Sequence, residues 1–226
     1  MANYTYATYT ASNGVKLYTI KTSPNNIWIK YIGASNVPEQ SSYGVNGGYF
    51  IRDQDVLLQI AVNNDVPVNG PKDEYGSGYE NVKYARGTLV WDATESQFSV
   101  QVAKSAADLY VIKRTRYWAQ GGISMSLNSD STWASQADKE NMQNRTGQAE
   151  RTGLVYNNTN NIWLVVTDTL CTAAAFRSAI KEKVGSGTLL NGIFLDGSGS
   201  SQMNCKEKQA YGDKRKVYQM VALRNE

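Results

Sequence analysis

The 226-residue sequence contains no histidine. This absence excludes a Ser-His-Asp triad, a Cys-His pair and a histidine-rich zinc site. Proton transfer must therefore use carboxylates, tyrosine, lysine or water. The two cysteines, Cys171 and Cys205, lack the CxxC spacing of a structural metal site. We expect free, buried thiols, with a disulfide as the alternative, and we predict no cofactor and assign no metal site.

The sequence also lacks long apolar runs and polybasic runs. No stretch approaches the ~18 apolar residues of a membrane span, and residues 1–20 show no signal-peptide pattern. We therefore predict a cytoplasmic protein, or a secreted one if the sequence is a mature form. The net charge of +3 comes from 23 basic and 20 acidic residues. This balance predicts anionic small-molecule ligands rather than nucleic acid or membrane partners, and it leaves the oligomeric state open.

Most of the sequence predicts short strands, since β-branched and aromatic segments alternate with turn signals such as Asn13-Gly14. The predicted strands are 7–10, 15–21, 26–32, 56–62, 86–91, 98–102, 110–113, 152–156, 161–167, 192–195 and 217–223. Residues 1–226 are predicted to form one domain. Its N-terminal part, about 1–40, would be a β-meander, and about 41–226 would be the core that carries the motifs.

Residues 171–184 show the one convincing helical pattern, with Thr172 near the N-cap and Gly185 after the end. Strands flank this helix, so the predicted fold is α+β: a β-rich mixed sheet with few helices and one strand-helix-strand crossover near the C-terminus. A parallel crossover would place Asp168 and Asp196 at the carboxyl ends of neighbouring strands. The polar segment 126–150 is interpreted as a mobile lid or as a solvated insertion.

The segment 192–203 is the most informative part of the sequence. An apolar strand runs into Asp196, and a turn of glycines and serines follows it. Small residues let backbone N–H groups approach an anionic oxygen closely, and a carboxylate at the end of a buried strand can serve as acid, base or nucleophile. The alternative is a Gly/Ser turn whose aspartate caps the following segment.

Further motifs accompany the Asp196 loop in a fixed order. They are GVNGGYF at 44–50, GG at 121–122, RTG at 151–153, VVTD at 165–168 and FLDGSGSSQM at 194–203. The ordered set resembles the phosphodiester glycosidase (NAGPA) family over roughly residues 40–224. Three positions depart from the family pattern: Ser198 replaces a usual glycine, Gly153 a usual alanine, and Gln219 a usual asparagine.

The resemblance implies hydrolysis of the bond between a sugar's anomeric carbon and a phosphodiester oxygen. Asp196 would be the nucleophile or the base for water, and Arg151 would pair with the phosphate. The other substrate-binding positions implied by the motifs are Asn46, Gly47, Gly48, Gly122, Thr152, Gly197, Ser198, Gly199, Ser200 and Ser201. Asn46 could instead only form a turn, and Arg151 could be a structural ion-pair partner.

For a second catalytic carboxylate, Asp168 is the first choice and Glu150 the second. Asp168 could instead cap the following helix, and Glu150 could be an exposed loop charge. The expected ligand is a sugar phosphate, or a nucleotide-like signalling molecule if the protein acts inside a bacterium or for a phage. The alternative function is a binder that sequesters such a ligand without turnover, because a Cβ at Ser198 could narrow the loop.

Overall fold

The structure is a computed structural model and describes residues 3–226. It contains eighteen β-strands and two α-helices. In chain order they are β1 (Tyr4–Thr10), β2 (Lys16–Thr22), β3 (Ile27–Ser35), β4 (Gly44–Asn46), β5 (Phe50–Ile51), β6 (Val56–Leu57), β7 (Ala61–Asn63), β8 (Val66–Pro67), β9 (Arg86–Asp92), β10 (Gln97–Ala103), β11 (Tyr117–Gly121), β12 (Ile123–Ser124), α1 (Trp133–Lys139), β13 (Ala149–Asn157), β14 (Ile162–Cys171), α2 (Ala173–Lys183), β15 (Leu189–Phe194), β16 (Met203–Asn204), β17 (Gln209–Ala210) and β18 (Val217–Leu223).

Three sheets and one short ribbon make up the fold. Sheet 1 has the strand order β1-β2-β14-β13-β15-β12, sheet 2 has β10-β9-β11-β7-β8, and sheet 3 has β17-β16-β4-β18-β3. Strands β5 and β6 form the ribbon. The predicted β-rich α+β fold is confirmed.

The three sheets share one apolar core. Its buried side chains include Leu154 from sheet 1, Leu89 from sheet 2 and Val221 from sheet 3. A second cluster covers another part of sheet 1 with the helices, through Trp133 of α1 and Phe176 of α2. Packing in this core therefore joins all three sheets.

The helix α2 agrees with its sequence signals. The Thr172 hydroxyl accepts a hydrogen bond from the Ala175 N–H at 3.1 Å, as an N-cap should. The chain leaves the helix at Gly185, which has φ +69°.

The crossover around α2 differs from the prediction in one respect. β14 and β15 both pair antiparallel with β13, which lies between them. They are parallel to each other but are not neighbours, and each paired set of strands within residues 3–226 is antiparallel. Asp168 and Asp196 consequently do not stand on adjacent strands.

The predicted N-terminal meander is wrong beyond its first hairpin. β1 pairs with β2, but β3 pairs with β18 in sheet 3. A 3₁₀ turn over Pro24–Asn26, held by the Trp118 indole N–H on the Pro24 carbonyl, sends the chain from one sheet to another. Residues 110–113 form no strand, and the sequence analysis predicted no helix where α1 lies.

Segment 126–148 is anchored by the buried side chain of Glu140. Its Oε2 accepts hydrogen bonds from the Gly87 N–H at 2.9 Å and from the Ser124 N–H at 2.7 Å. Gly87 lies in sheet 2 and Ser124 in sheet 1, so one carboxylate ties the segment to both sheets. The Arg86 Nε also donates to the Glu140 carbonyl at 3.0 Å.

Cys171 and Cys205 are buried free thiols, as predicted, and burial raises the pKa of each to about 11. In the described part of the chain, neither helix has the length and apolar character that a membrane span requires.

We predict that Glu140→Ala lowers the free energy of unfolding by about 3 kcal/mol, because two buried N–H groups lose their acceptor. Urea unfolding measures this loss. Glu95→Ala, at an exposed turn position, is the control and should change stability little. A Glu140→Ala variant as stable as the control would contradict the anchoring role.

Candidate active site

A cavity of about 100 Å³ lies beside the end of β15. The Asp196 loop forms one wall, and residues 142–144 of the anchored segment form another. The lining residues are Tyr49, Met142, Gln143, Asn144, Arg151, Thr152, Phe194, Leu195, Asp196, Gly197, Ser198 and Arg215. Four of the sequence-predicted substrate positions, Arg151, Thr152, Gly197 and Ser198, therefore meet Asp196 at one cavity.

The backbone of Asp196 is fixed on both sides. Its N–H donates to the Gly47 carbonyl at 3.2 Å, and its carbonyl accepts from the Asn46 Nδ2 at 2.9 Å. The Asn46 Oδ1 in turn accepts from the Thr152 hydroxyl at 2.8 Å and from the Gln202 N–H at 3.0 Å. Asn46 does not line the cavity; its amide positions Asp196 instead of meeting a ligand.

The Asp196 carboxyl is partly buried at the cavity wall, and its Oδ1 accepts from the Gly197 N–H at 3.0 Å. Burial raises the pKa of this carboxyl to about 6. The Ser200 hydroxyl, the charge of Arg215 and the Gly197 N–H act in the opposite direction on that pKa. Asp196 can thus gain or lose a proton near neutral pH, which suits a nucleophile or a general base.

Arg151 brings a buried positive charge to the cavity, with 4% of its surface exposed. Its Nε donates to the Cys171 carbonyl at 3.1 Å, and its Nη2 donates to the carbonyls of Asn144 and Gly147, each at 2.7 Å. Within residues 3–226 no carboxylate pairs with it, and burial lowers its pKa. Nε and Nη2 are already used, so Arg151 can bind an anion through Nη1 but not through two parallel hydrogen bonds.

Arg215 supplies a second positive charge that the sequence analysis missed as a site residue. Its Nε and Nη2 donate to the Asp213 carboxylate at 3.0 and 2.5 Å. The Asp213 contact raises the Arg215 pKa, and the charges of Asp196 and Glu150 act in the same direction. The sequence signal was its place within residues 40–224, the range over which the motifs resemble the family.

Tyr49 also forms part of the cavity wall. The Arg86 guanidinium lies 5.7 Å from the centre of its ring, and the Tyr49 hydroxyl accepts from the Gln143 N–H at 3.4 Å. Burial raises the pKa of Tyr49 to about 12, with a further contribution from the Asp196 charge. Tyr49 thus stays neutral near pH 7 and can act only as a hydrogen-bonding group there.

The two candidates for a second carboxylate are placed differently. Asp168 lies on β14 away from the cavity, with 51% of its side chain exposed, and accepts from the Tyr18 hydroxyl at 2.8 Å and from the Lys208 Nζ at 3.4 Å. Glu150 lies at the bulge in β13, where its carbonyl is close to Gly197 and its charge acts on Arg215. The structure therefore brings Glu150, not Asp168, to the Asp196 loop.

The predicted glycines pack tightly behind the cavity. A Cβ at Gly47 would lie 2.7 Å from the Gln219 Cδ, one at Gly48 would lie 2.3 Å from the Gln59 Oε1, and one at Gly122 would lie 2.3 Å from the Phe194 carbonyl oxygen. None of the three lines the cavity. Their small size lets the strands around Asp196 approach one another.

Residues 39–224 match the model of the phosphodiester glycosidase family, NAGPA. The chain belongs to this family. A comparison with curated protein sequences finds no significant match.

Solved structures share the fold at low sequence identity. The zebrafish N-acetylglucosamine-1-phosphodiester alpha-N-acetylglucosaminidase (NAGPA) catalytic domain, auto-inhibited by pro-peptide, is similar with a TM-score of 0.63 and 12% identity over 100% of this chain and 83% of that one. A hypothetical protein from Synechocystis gives 0.54 and 11%, over 97% of this chain and 61% of the other. A Burkholderia pseudomallei K96243 protein described as exported gives 0.55 and 13%, over 92% and 74%.

The Asp196 loop departs from the usual family pattern at Ser198, and the backbone there is strained. Ser198 has φ +54°, in the left-handed region that favours glycine. The N–H groups of Gly197, Ser200 and Ser201 are used within the loop, by the Asp196 side chain and by the carbonyls of Gly197 and Ser198. The N–H groups of Ser198 and Gly199 are the loop's remaining candidates for binding an anionic oxygen.

We predict that Ser198→Gly raises the free energy of unfolding by roughly 0.5–1 kcal/mol, because relief of left-handed strain exceeds the entropy cost of glycine. Thermal unfolding measures the gain. Ser96→Gly is a matched control, since Ser96 is exposed, lies outside the cavity and has φ +53°. A loss of stability confined to Ser198→Gly would mean that the Ser198 side chain makes contacts worth more than the strain.

We also predict that Asp196→Asn stabilises the protein in a pH-dependent way. The folded protein holds the Asp196 proton more tightly than the unfolded chain does, so its contribution to stability is complete below pH 3.8 and is lost as pH rises through about 6. At pH 8 the variant should exceed wild type by up to about 3 kcal/mol, with no difference at pH 3.5.

Urea unfolding at several pH values tests this prediction, with Asp53→Asn as the control because the Asp53 side chain is 88% exposed. An equal increase in the free energy of unfolding at pH 3.5 and at pH 8 would show that burial does not disfavour the ionised Asp196 carboxyl.

Proposed function

We propose that the chain is a hydrolase that cleaves the bond between a sugar's anomeric carbon and a phosphodiester oxygen, releasing the sugar and a phosphomonoester. The observation that carries this proposal is the meeting, at one cavity, of the titratable Asp196 carboxyl with the buried Arg151 guanidinium, whose charge no carboxylate within residues 3–226 neutralises. Membership of the NAGPA family supports it.

The reaction needs Asp196 in its ionised form. As a nucleophile, Asp196 would bond to the anomeric carbon while the carbon–oxygen bond breaks and its electron pair leaves on the phosphate. Water would then release the sugar from the ester. As a base, Asp196 would instead take a proton from the attacking water. A phosphomonoester is a good leaving group, so stabilising its charge matters more than protonating it.

Arg151 and Arg215 are placed to stabilise that departing charge. Arg151 offers Nη1 from a buried position, where an ionic hydrogen bond is stronger than in water. Arg215 is already paired with Asp213, so it contributes a weaker, partly compensated charge. The N–H groups of Ser198 and Gly199 supply further donors on the loop side.

Glu150 is our choice for the second carboxylate. The contact of its main-chain carbonyl with Gly197 and the action of its charge on Arg215 support this choice, whereas Asp168 interacts with Tyr18 and Lys208 and does not line the cavity. In a two-step reaction Glu150 would accept the proton of the water that hydrolyses the glycosyl ester.

The cavity of about 100 Å³ fits the phosphate and the anomeric carbon better than a whole diester. Small-molecule sites usually span about 300–1,000 Å³. The remainder of the ligand would therefore lie toward the surface, which is compatible with a sugar phosphate or with a nucleotide-like molecule.

The test is release of sugar and phosphomonoester from a panel of sugar-1-phosphodiesters and nucleotide sugars, including ribose-linked ones. Asp196→Asn should reduce turnover by roughly 10³-fold or more, since it removes the reacting carboxylate. Asp168→Asn is the matched control and should keep wild-type turnover. For wild type, kcat/KM should fall as pH decreases through about 6, because protonated Asp196 cannot attack.

A different result would favour sequestration. Tight binding of a panel member without turnover, unchanged by Asp196→Asn, would replace the hydrolase with a binding protein for the same class of ligand. Turnover retained by Asp196→Asn would move the reacting role to another carboxylate.

A further inference from the structure

Buried polar atoms without a partner within the chain are concentrated in the Asp196 loop and on β18. Among residues 3–226, five buried side-chain nitrogen or oxygen atoms have no hydrogen-bond partner. Four of them belong to Ser200, Ser201 and Gln219: the two hydroxyls and both atoms of the amide. These residues are 0%, 2% and 1% exposed, so bulk water does not reach them. Such atoms are costly in a folded protein unless they have partners, and each requires an explanation.

Contacts along the backbone bring these atoms to the Asp196 loop. The Gln219 side chain lies against the Cα of Gly47, and the Gln219 carbonyl accepts from the Gly47 N–H at 3.0 Å. The Gly47 carbonyl in turn accepts from the Asp196 N–H. Ser200 lies close enough to influence the Asp196 carboxyl, although its hydroxyl reaches no acceptor with hydrogen-bond geometry in the described chain.

The chemistry of the three groups selects their partner. Gln219 has an acceptor, Oε1, and a donor, Nε2, and each hydroxyl can both donate and accept. A phosphate oxygen would satisfy only the donors and would meet Oε1 unfavourably. A sugar hydroxyl has no route to atoms that are 2% exposed or less. Water can satisfy both kinds of group, and buried waters typically make two to four such bonds.

We propose that ordered water bridges the Gln219 amide to the hydroxyls of Ser200 and Ser201, and that Gln219 thereby acts as a positioning residue for the Asp196 loop. The bridge holds the hydroxyl of Ser200, which does not line the cavity, toward the Asp196 carboxyl. The water site itself does not depend on the proposed reaction. Only the consequence for turnover depends on it.

The other groups that face Asp196 are separate from this bridge. They are Arg151, Arg215 and Tyr49, which line the same cavity, and Glu150 on the neighbouring strand β13. Gln219 lies on β18 and touches none of their charged atoms through a hydrogen bond. A change at Gln219 therefore reports on the bridge and leaves those charges in place.

The first experiment compares the melting temperatures of Gln219→Met and wild type, with Gln54→Met, at an exposed turn position, as the control. Methionine keeps the length of the side chain and removes its polar atoms. If water bridges the amide, Tm should fall by about 2–4 °C or more, because bonds are lost and the hydroxyls lose their partner. If the amide has no partner, Tm should rise, since an unpaired buried group is removed, and this result would overturn the proposal.

The second experiment measures the Asp196 pKa by ¹³C NMR titration of the carboxyl in the ligand-free protein. Gln219→Met should raise it, because a hydroxyl that is no longer oriented donates less well to the carboxylate. An unchanged Asp196 pKa in a folded Gln219→Met variant would refute the positioning role.

Ser201→Ala is the second variant if Gln219→Met does not fold. It should lower Tm under the proposal and raise Tm if the hydroxyl is unpaired. Neither readout uses turnover, so a negative result here is distinct from a failure of the proposed reaction.

Discussion

The position of the Asp196 carboxylate depends on hydrogen bonds that cross between two sheets. Asp196 follows β15 of sheet 1, while Asn46 ends β4 of sheet 3 and Gly47 comes directly after it. The Gly47 carbonyl and the Asn46 amide hold the backbone of Asp196 on both sides. Because Thr152 of sheet 1 fixes the Asn46 amide in turn, the backbone of Asp196 can shift only if the sheets move relative to each other. The shared apolar core resists that movement, so packing far from the cavity fixes the backbone that carries the Asp196 carboxyl.

Two buried groups that can carry opposite charges, Asp196 and Arg151, line the same cavity. An anionic ligand would stabilise the charge of one and destabilise the charge of the other. Burial disfavours the charge on Asp196 and the charge on Arg151 alike. A phosphate would satisfy the guanidinium but repel the carboxylate, so in the proposed reaction the ligand would place its phosphate near Arg151 and its anomeric carbon near Asp196. Arg151 also donates to the carbonyls of Asn144 and Gly147, so the proposed anion-binding side chain is mechanically linked to the cavity wall that contains Asn144.

Local features of the sequence predicted the parts of the site that depend on local structure. The Asp196 loop, Arg151 and the Thr172 cap lie in short motifs whose chemistry can be read directly. Asp168 failed as a cavity residue because β13 inserts between two strands that the crossover pattern suggested were neighbours. The partners of β3 and the approach of Arg215 to the cavity depend on contacts between distant segments. A single sequence contains no measure of those contacts, since several pairings satisfy the same alternation of apolar residues.

Several energetically unfavourable features lie in or beside the Asp196 loop. Ser198 has a left-handed backbone, Asp196 carries a raised pKa, and the buried polar atoms of Ser200 and Ser201, with those of Gln219 on β18, have no partner within the described chain. The strained backbone and the buried carboxyl each lower stability, and elsewhere in residues 3–226 only one other buried side-chain atom lacks a partner within the chain, on Gln120. A protein keeps such costs together where stable packing would interfere with binding or reaction. These costs fall in and beside the same loop that carries the family motif, and a purely structural turn is therefore the weaker interpretation of residues 196–201.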